Sequence, residues 1–474
     1  MNRTITIDPV TRIEGHARII LNLNDDGHFE SLRLIVNELR GFERILVGME
    51  ATQMPMITAR ICGVCPSAHH LAATNAIEAA AEVQVPPAAT LLRELLYMGH
   101  IIHSHALSLF VLQGPDLVLG IDSDAAQRNI IGMLNALPEV VKKAIRLRTL
   151  GQRINELVGG RGTHPVTSVL GGVTFKLDQE KHKLLTLWAD ELLMLVQALG
   201  PVAVSCVEKQ MERNLFGLKE WNTPFWKMGT VKQGVLKFIE GNLRIVDEAG
   251  TIKRELPTKE YDQYLKEKTF DWSYMKPVEI LLEDIKHPYM VGPLARINVA
   301  DSISTPLAQA ELEKFRSLLG RTCHVTLMQA YARVIELLHA IERVKEIITD
   351  KEIWGEARVP VRFKAARGAG HVEAPRGTLI HDYEIDEHGI VRAANLIVAT
   401  QQNYLAMNKT LEQAAEALFK TNGNDENLLN VLEFGMRCYD PCLSCATHAV
   451  GAMPMELTMS CEGEILRTIR RDGR

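Results

Sequence analysis

Apolar residues recur along the chain with two different periods, which predict long helices interrupted by short β-hairpins. Alternation with a period of two, broken by a turn, predicts hairpins at 17–36, 378–398 and 455–469. The interval 240–300 has neither period and predicts short strands and loops at the surface. Helical spacing or helix-favouring composition covers 41–47, 69–81, 88–112, 124–157, 179–199, 307–350 and 409–419. The pattern therefore predicts an α+β fold that is predominantly helical, with small peripheral β-sheets.

Composition narrows the class of protein. Hydrophobic residues make up 46% of the 474 residues, which is enough for a large core. The net charge of −5 comes from interspersed charges of both signs, so no basic surface for nucleic acid is predicted. The longest uncharged apolar stretch, 192–207, is interrupted by Gly200 and Pro201 and is too short to cross a bilayer. We therefore expect no transmembrane segment.

Two cysteine pairs near opposite ends of the chain carry the candidate chemistry. Cys62 and Cys65 lie in R-x-C-G-x-C-x-x-x-H, and Cys442 and Cys445 lie in D-P-C-x-x-C-x-x-H. Four thiolates from two such pairs make a complete site for a soft or borderline metal, and the two ends of the fold must then meet. The other cysteines are scattered, and each is predicted to be a small buried hydrophobe: Cys206, Cys323, Cys438 and Cys461.

The cysteine spacing by itself leaves two kinds of metal site open. One is a closed structural zinc site with four cysteine ligands, for which this spacing is common. The other is a reactive centre. The length of the chain favours the second, because a large core needs no zinc staple, and so do the neighbours Arg60, His69, Asp440 and His448.

The two motifs resemble those of the large subunit of [NiFe] hydrogenases, and the resemblance extends over nearly the whole chain. The form of both motifs is most similar to the cytoplasmic, bidirectional branch of that family. Five further segments occur in the family's order: Arg12–His16, Arg40–Glu43, Gly160–Pro165, Glu373–Gly377 and Thr400 with Asn403. The resemblance implies one large-subunit domain, residues 1–448, whose long helices surround a buried metal centre. It also implies an H2:acceptor oxidoreductase that reversibly cleaves H2 heterolytically into protons and electrons.

The resemblance implies a specific set of metal ligands. Nickel would bind all four cysteines, and Cys65 and Cys445 would also bridge to an iron that carries cyanide and carbon monoxide. A second site would hold Mg²⁺ or Fe²⁺ through Glu43 and His448, and the carboxylate of Glu43 is an oxygen ligand of the kind that hard cations prefer.

The resemblance also implies which residues act on H2. Cys442 would take the proton and pass it to Glu14, while Arg376 would overhang the metals and contact a diatomic ligand. Thr400 would form a hydrogen bond with another such ligand, and Asp116 would overhang the open metal position. Without the resemblance, Glu14 and Asp116 would be interpreted as an ordinary surface carboxylate and a helix-terminal carboxylate.

Electrons must leave such a centre through other proteins, because the remaining cysteines are not arranged for an iron–sulfur cluster. We therefore expect an iron–sulfur small subunit in a heteromultimer. A flavin and NAD diaphorase, a heterodisulfide-reductase module, ferredoxin or a deazaflavin remain open as acceptors. The resemblance further implies an endopeptidase that cuts after His448 and removes residues 449–474. A related quinone-binding subunit of respiratory complex I is the other alternative, but it lacks the four cysteines that are present here.

Overall fold

The computed structural model describes residues 3–39, 41–212, 221–420, 425–446, 455–461 and 464–471. A continuous apolar core runs through it and includes residues from Ile7 near one end to Ala446 beside the second cysteine pair. The two ends of the sequence therefore meet in one core, as the cysteine spacing predicted.

Helices form most of this core. In the described part of the chain they are α1 Phe42–Leu46, α2 Met54–Thr58, α3 Pro66–Ala80, α4 Pro87–Leu107, α5 Gly114–Leu119, α6 Ile130–Ala136, α7 Pro138–Gly159, α8 Gln179–Glu212, α9 Tyr261–Tyr264, α10 Pro293–Val299, α11 Pro306–Leu319, α12 Met328–Thr349, α13 Ala399–Lys420 and α14 Asp425–Tyr439.

The centre of the bundle is α4, which packs against α7 on one side and α12 on another, while α8 covers α7 and α12. Glycines allow α4 and α7 to cross closely. A Cβ built on Gly99 would lie 2.7 Å from Ile154 Cγ2, and one on Gly151 would lie 2.7 Å from the backbone nitrogen of His103. Larger residues at either position would push apart the two helices beside the metal centre.

The helix boundaries differ from the predicted ones where proline and glycine act in ways that periodicity does not reveal. The stretch 124–157 is two helices, because Pro138 begins a new one. The stretch 307–350 is also two, separated after Gly320, whose φ of +81° ends α11. Helix α8 continues through Pro201 to Glu212 instead of ending at 199.

The ends of two further helices were also mispredicted. Helix α4 gives way to a π-helical turn at Ser108–Leu112, and α5 follows where the chain was expected to leave the helix. The last predicted helix, 409–419, begins earlier at Ala399, and α14 was not predicted. Its omission matters, because α14 leads directly into the second cysteine pair.

Short strands lie around the bundle. Those in the described residues are β1 Arg3–Ile7, β2 Ala17–Leu23, β3 Phe29–Val36, β4 Ser168–Val169, β5 Gly172–Val173, β6 Trp226–Lys232, β7 Val235–Leu236, β8 Asn242–Val246, β9 Ile252–Leu256, β10 Leu265–Glu267, β11 Val278–Leu282, β12 Ile285–His287, β13 Tyr289–Met290, β14 Ala366–Ala374, β15 Gly377–Ile385, β16 Val391–Ile397, β17 Met455–Cys461 and β18 Glu464–Arg471.

The strands form small antiparallel sheets, with one parallel pair, β13 and β6. The three predicted hairpins are present as β2–β3, β15–β16 and β17–β18. Each of the first two gains a third strand, β1 beside β2 and β14 beside β15. The predicted α+β class with small sheets around a helical core is confirmed by the fold.

The interval 240–300 forms the predicted short strands, β8–β13, but it is not confined to the surface. Its strands join β6 and β15 around a second apolar core that includes Met228, Leu243, Ile245, Val278 and Ile380. Because these strands are short and irregularly spaced, the apolar positions give no clear period along the sequence.

Two described helical stretches are long and apolar enough to cross a membrane by length and composition alone: Pro87–Leu112 and Gln179–Glu212. In the first, 78% of the apolar window is buried inside the protein, as in the core helix of a globular fold, and in the second 33% is buried.

Candidate metal centre

The four motif cysteines come together from two loops at the ends of helices. Cys62 follows a 3₁₀ turn at Ala59–Ile61, and Cys65 caps the N-terminus of α3. Cys442 and Cys445 follow α14, and the second of them closes the 3₁₀ turn Leu443–Cys445. All four side chains are buried. The helices thus bring two short loops together inside the protein.

The spacing of the sulfurs suits a metal centre. The Sγ atom of Cys442 lies 3.1 Å from that of Cys62, 4.0 Å from that of Cys65 and 2.9 Å from that of Cys445. All four Sγ atoms lie within 4.8 Å of one another. Metal–thiolate bonds of roughly 2.3 Å would let one ion between them reach all four. The predicted meeting of the two pairs is therefore present.

The electrostatics of the four thiols also favour a cation. Contacts with the sulfur of Cys442, and then with those of Cys445 and Cys65, hold the pKa of Cys62 well below its ordinary value. The backbone N–H groups of Val64 and Cys65 donate to the Cys62 sulfur at 3.2 Å. Burial raises the pKa of Cys442 and Cys445 well above theirs. Cys62 therefore loses its proton readily, whereas Cys442 and Cys445 do not. A bound cation is needed to keep all four cysteines deprotonated at such short distances.

Glu14 lies directly against this cluster. The Sγ of Cys442 donates to Glu14 Oε2 at 3.0 Å, and the backbone N–H of Ser444 donates to the same oxygen at 3.2 Å. The hydroxyl of Ser444 donates to Oε1. The backbones also pair, since Leu443 N–H donates to the carbonyl oxygen of Glu14 at 3.1 Å. A carboxylate and a thiol are thus held within proton-transfer distance by both backbone and side chain.

This close pairing requires glycine at position 15. Gly15 has φ of +81°, and a Cβ there would lie 2.9 Å from the Cβ of Leu443 and 3.0 Å from the nitrogen of Ser444. A side chain would therefore be strained and would separate the Glu14 segment from the cysteine loop.

Arg376 holds the turn that precedes the second cysteine pair. Its Nε donates to the carbonyl oxygen of Asp440 at 2.7 Å and its Nη2 to Asp440 Oδ1 at 3.0 Å, while Nη1 lies 3.4 Å from Ser104 Oγ. Burial lowers the pKa of Arg376, but attraction to Asp440 and to the cysteines outweighs it and raises the pKa above its ordinary value. A permanent positive charge is therefore fixed beside the thiolates.

Thr400 and a small cavity complete the cluster. The hydroxyl oxygen of Thr400 accepts a hydrogen bond from the backbone N–H of Cys442 at 2.9 Å. The cavity beside it, of about 10 Å³, is lined by apolar side chains such as Leu379 and Val398 and by Arg376 and Thr400. Its walls therefore combine an apolar surface with two hydrogen-bonding groups.

Asp116 forms ion pairs with arginines, and its position over the open metal site remains a prediction. Asp116 accepts from Arg12 at 2.6 Å and from Arg437 at 3.2 Å, and Arg128 Nε lies 3.3 Å away. Within the described residues, its ion-pair partners are these three arginines rather than Arg376 or a cysteine. Arg376 is contacted instead by Ser104 of α4, whose Oγ lies 3.4 Å from Nη1.

Glu43 lies apart from the four thiols. It is in α1, its side chain is 13% exposed, and Lys276 Nζ lies 4.0 Å from its Oε1. His448, its predicted partner in a second metal site, is outside the described residues. The second site thus remains a prediction.

Sequence reasoning missed several polar neighbours of the cluster. His69 was named as a neighbour of the cysteines, but its contacts with other side chains were not predicted. Its Nδ1 lies 3.1 Å from His381 Nε2, and His381 Nδ1 lies 2.7 Å from Tyr383 Oη. Ser444 and Ser104 were also missed. His381 and Tyr383 lie on one face of β15, two residues apart, which is the only local signal that could have paired them.

A proton acceptor contacts Cys442, and a fixed cation lies in the wall of the cavity beside the cysteines. A closed structural zinc site requires neither group. A family model described as nickel-dependent hydrogenase matches residues 40–128 and 260–448, and one described as HoxL-like matches residues 4–39. The chain belongs to the nickel-dependent hydrogenase family, as a large, catalytic subunit.

Relatives cover nearly the whole chain. One subunit of the F420-non-reducing hydrogenase vhu of Methanococcus voltae is 43% identical over 421 residues, 88% of this chain and 99% of the relative. The beta subunit of the NAD-reducing hydrogenase HoxS of Cupriavidus necator is 37% identical over 481 residues, 97% of each. A crystal structure of an NAD+-reducing [NiFe]-hydrogenase in the H2-reduced state matches with a TM-score of 0.89 at 36% identity, covering 94% of this chain and 99% of that one. Family membership decides against the zinc alternative and the complex I alternative.

Proposed function

We propose that the chain splits H2 at a nickel–iron centre held by Cys62, Cys65, Cys442 and Cys445. Four buried sulfurs within 4.8 Å of one another support this assignment. When bound, such a centre supplies the Lewis-acidic metals that polarise H2. Cys65 and Cys445, whose Sγ atoms are 3.4 Å apart, would hold the iron in addition to nickel.

We further propose that residues lining the small cavity beside these cysteines would surround cyanide and carbon monoxide ligands of the iron. Its apolar walls suit the carbon–oxygen ligand, which accepts hydrogen bonds poorly. Arg376 and Thr400, which also line the cavity, are donors suited to cyanide nitrogens. These ligands would have to be supplied by other proteins, since no side chain provides them.

The proton released from H2 is proposed to pass from Cys442 to Glu14. The 3.0 Å contact between Cys442 Sγ and Glu14 Oε2 is the observation that carries this proposal. Ser444 fixes the carboxylate through both its N–H and its hydroxyl, so that Oε2 stays directed at the sulfur. Glu14 is half-buried rather than enclosed, which leaves it a way to pass the proton outward.

Arg376 is proposed to stabilise negative charge that develops at the metals. A guanidinium held by two hydrogen bonds to Asp440 costs no reorganisation when the reaction occurs. Its surroundings are buried, so this charge acts with little screening by water.

An ion near Glu43, either Mg²⁺ or Fe²⁺, is proposed as the second metal, with His448 as its other protein ligand. The largely buried carboxylate of Glu43 supports the proposal. The carboxylate also acts electrostatically on Tyr383, at the end of the chain of contacts that begins at His69. The second site would thus be linked to the cysteine loop through α3.

Electrons are proposed to leave through an iron–sulfur subunit that docks beside Cys62. Arg60, Gly63 and Arg161 are exposed there, and the ring of His164 is hydrogen-bonded to the backbone of Cys62. Within the described ranges, a single group of side chains is arranged to hold a metal, so a chain of clusters must come from a partner. The names of the relatives support either a flavin and NAD diaphorase or a heterodisulfide-reductase module beyond that subunit, in a cytoplasmic complex.

Maturation is proposed to remove residues 449–474 from a single domain, residues 1–448, by an endopeptidase that cuts after His448. The paired strands β17 and β18 support a folded extension rather than a loose tail. Residue 448 itself lies outside the described part of the chain.

The experiment is to purify the chain with its partner subunits and to measure metals, infrared spectrum, mass and isotope exchange together. We expect nickel together with an excess of iron, because the partner's iron–sulfur clusters add to the iron of the centre. We also expect infrared bands of cyanide and carbon monoxide, a polypeptide ending at His448, and exchange between H2 and D2O. Zinc alone, without exchange, would refute the function. A chain of full length with full activity would refute only the maturation step.

A further inference from the structure

Arg333 on α12 is an unusual residue, because its guanidinium is fully buried and only partly satisfied. Its Nη1 donates to the carbonyl oxygen of Cys438 at 2.9 Å. Its Nε and Nη2 are buried and have no hydrogen-bond partner among the residues that the structure describes. A guanidinium does not lose its proton in a protein, so these N–H groups remain hydrogen-bond donors and need an acceptor.

Two more unsatisfied atoms belong to the same region. Asp440 is 3% exposed, and its Oδ2 has no partner in the described chain, while Oδ1 is held by Arg376. Asp440 is also the group whose attraction acts most strongly on Arg333, although the two are not in direct ion-pair contact. Gln329, one turn before Arg333 on the same face of α12, has an equally unpartnered Nε2.

We propose that Arg333 and Asp440 enclose a binding site for an ordered water molecule. The water would accept from Arg333 and donate to Oδ2 of Asp440, which satisfies both unpartnered groups. The chemistry selects water over an ion: Asp440 repels an anion, and Arg333 repels a cation.

The water site makes Arg333 a positioning residue for Arg376. Asp440 accepts hydrogen bonds from Arg376 at its Oδ1 and at its carbonyl oxygen. Its backbone has φ of +53°, in the left-handed region, so side-chain contacts must keep it in place. Arg333 holds this turn at two points, directly through Cys438 and through water at Asp440. It therefore fixes the direction of the Arg376 guanidinium.

The first test is a high-resolution crystal structure of the holoenzyme. We expect a water peak within hydrogen-bond distance of both Arg333 and Asp440 Oδ2, which Arg333→Met removes. A direct Arg333–Asp440 ion pair, a bound ion or an empty gap in the wild type would overturn the proposal. This test does not depend on the proposed function, because the density is present or absent whatever the enzyme does.

The second test is kinetic and rests on the proposed function of Arg376. Arg333→Met should lower the rate of H2 oxidation about tenfold, with nickel and iron content and KM for H2 unchanged. Arg333→Lys, which keeps the charge and a donor, should recover part of that loss. The matched control is Arg343→Met, on the same helix but paired with Glu94 outside the site, which should leave the rate unchanged.

A double-mutant cycle separates positioning from a general structural effect. If Arg333 acts through Asp440 on Arg376, then Arg333→Met should add little to the loss already caused by Arg376→Lys. Fully additive losses, or loss of metal in Arg333→Met but not in Arg333→Lys, would show that Arg333 only stabilises the fold and would overturn the positioning role.

Discussion

Two carboxylates that the sequence assigned to the same site have opposite surroundings. Glu14 contacts a thiol, a hydroxyl and a backbone N–H, and within the described residues no cation pairs with it. Asp116 is 1% exposed at its side chain and lies among three arginines. The segment Arg12–Glu14 joins both environments, since Arg12 pairs with Asp116 while Glu14 faces Cys442.

The difference indicates which carboxylate can exchange a proton. A carboxylate whose oxygens face permanent cations forms a fixed ion-pair network, in which removing one charge leaves the others uncompensated. A half-buried carboxylate with a thiol at 3.0 Å has a partner that can give and take a proton. Burial and partners, rather than residue type, thus separate a relay from a structural anchor.

The largest effect is expected from removing the thiol of Cys442, which contacts Glu14 and not Asp116. Cys442→Ser should abolish both H2 oxidation and exchange between H2 and D2O, because it removes a metal ligand and the first proton acceptor. Metal analysis and mass-spectrometric exchange measure this. Cys206→Ser, a half-buried cysteine on α8, is the control and should behave like the wild type. Exchange retained by the Cys442 variant would contradict the assignment.

Glu14→Gln should keep nickel and iron but lower turnover by about 10²- to 10⁴-fold, the usual contribution of a general acid or base. Glutamine keeps the shape and can accept one of the two hydrogen bonds from Ser444, but it cannot relay a proton. Thermal unfolding should change little, because no ion pair is lost. Normal turnover would place the relay elsewhere.

Asp116→Asn should give the reverse result. It leaves Arg12, Arg128 and Arg437 without their shared anion, so the free energy of unfolding should fall by about 3 kcal/mol or more. The turnover of the folded, metal-loaded fraction should stay within about twofold of the wild type, since Asp116 contacts no ligand. Denaturant unfolding and activity per nickel measure the two quantities. A large loss of turnover at unchanged stability would restore Asp116 to the reaction.

Arg376→Lys should lower turnover by about 10- to 100-fold at unchanged metal content, because lysine cannot make the two contacts to Asp440 together. The infrared bands of the diatomic ligands should shift if the guanidinium contacts one of them. Equal turnover in both proteins would remove Arg376 from the reaction.

The smallest effect should come from Ser444→Ala. It removes one hydrogen bond to Glu14, worth about 1 kcal/mol or roughly fivefold in rate, while leaving the backbone N–H in place. In a Glu14→Gln background the same change should have no further effect on rate. An equal loss in both backgrounds would show that Ser444 does not act through Glu14.

The sequence by itself determined the four metal ligands and the class of fold. Cys-x-x-Cys spacing is a local property, and two such pairs in a chain with a large core require the ends to meet. The long helices and the three hairpins follow from hydrophobic period and turn residues, which are also local. The predictions failed where one proline or glycine decides a boundary, as at Pro138 and Gly320, because packing settles whether the helix continues.

The tertiary structure alone decided which polar side chains share the site. Asp116 and Ser104 both lie on the α4–α5 stretch, but Ser104 contacts Arg376 while Asp116 pairs with Arg12. Nothing local in the sequence distinguishes these two partners. Arg333, 105 residues before Cys438, and His381, 312 residues after His69, reach the cysteine loops through packing. Such contacts join residues far apart in the chain, and their geometry is set by how the helices pack, which no periodicity along the sequence records.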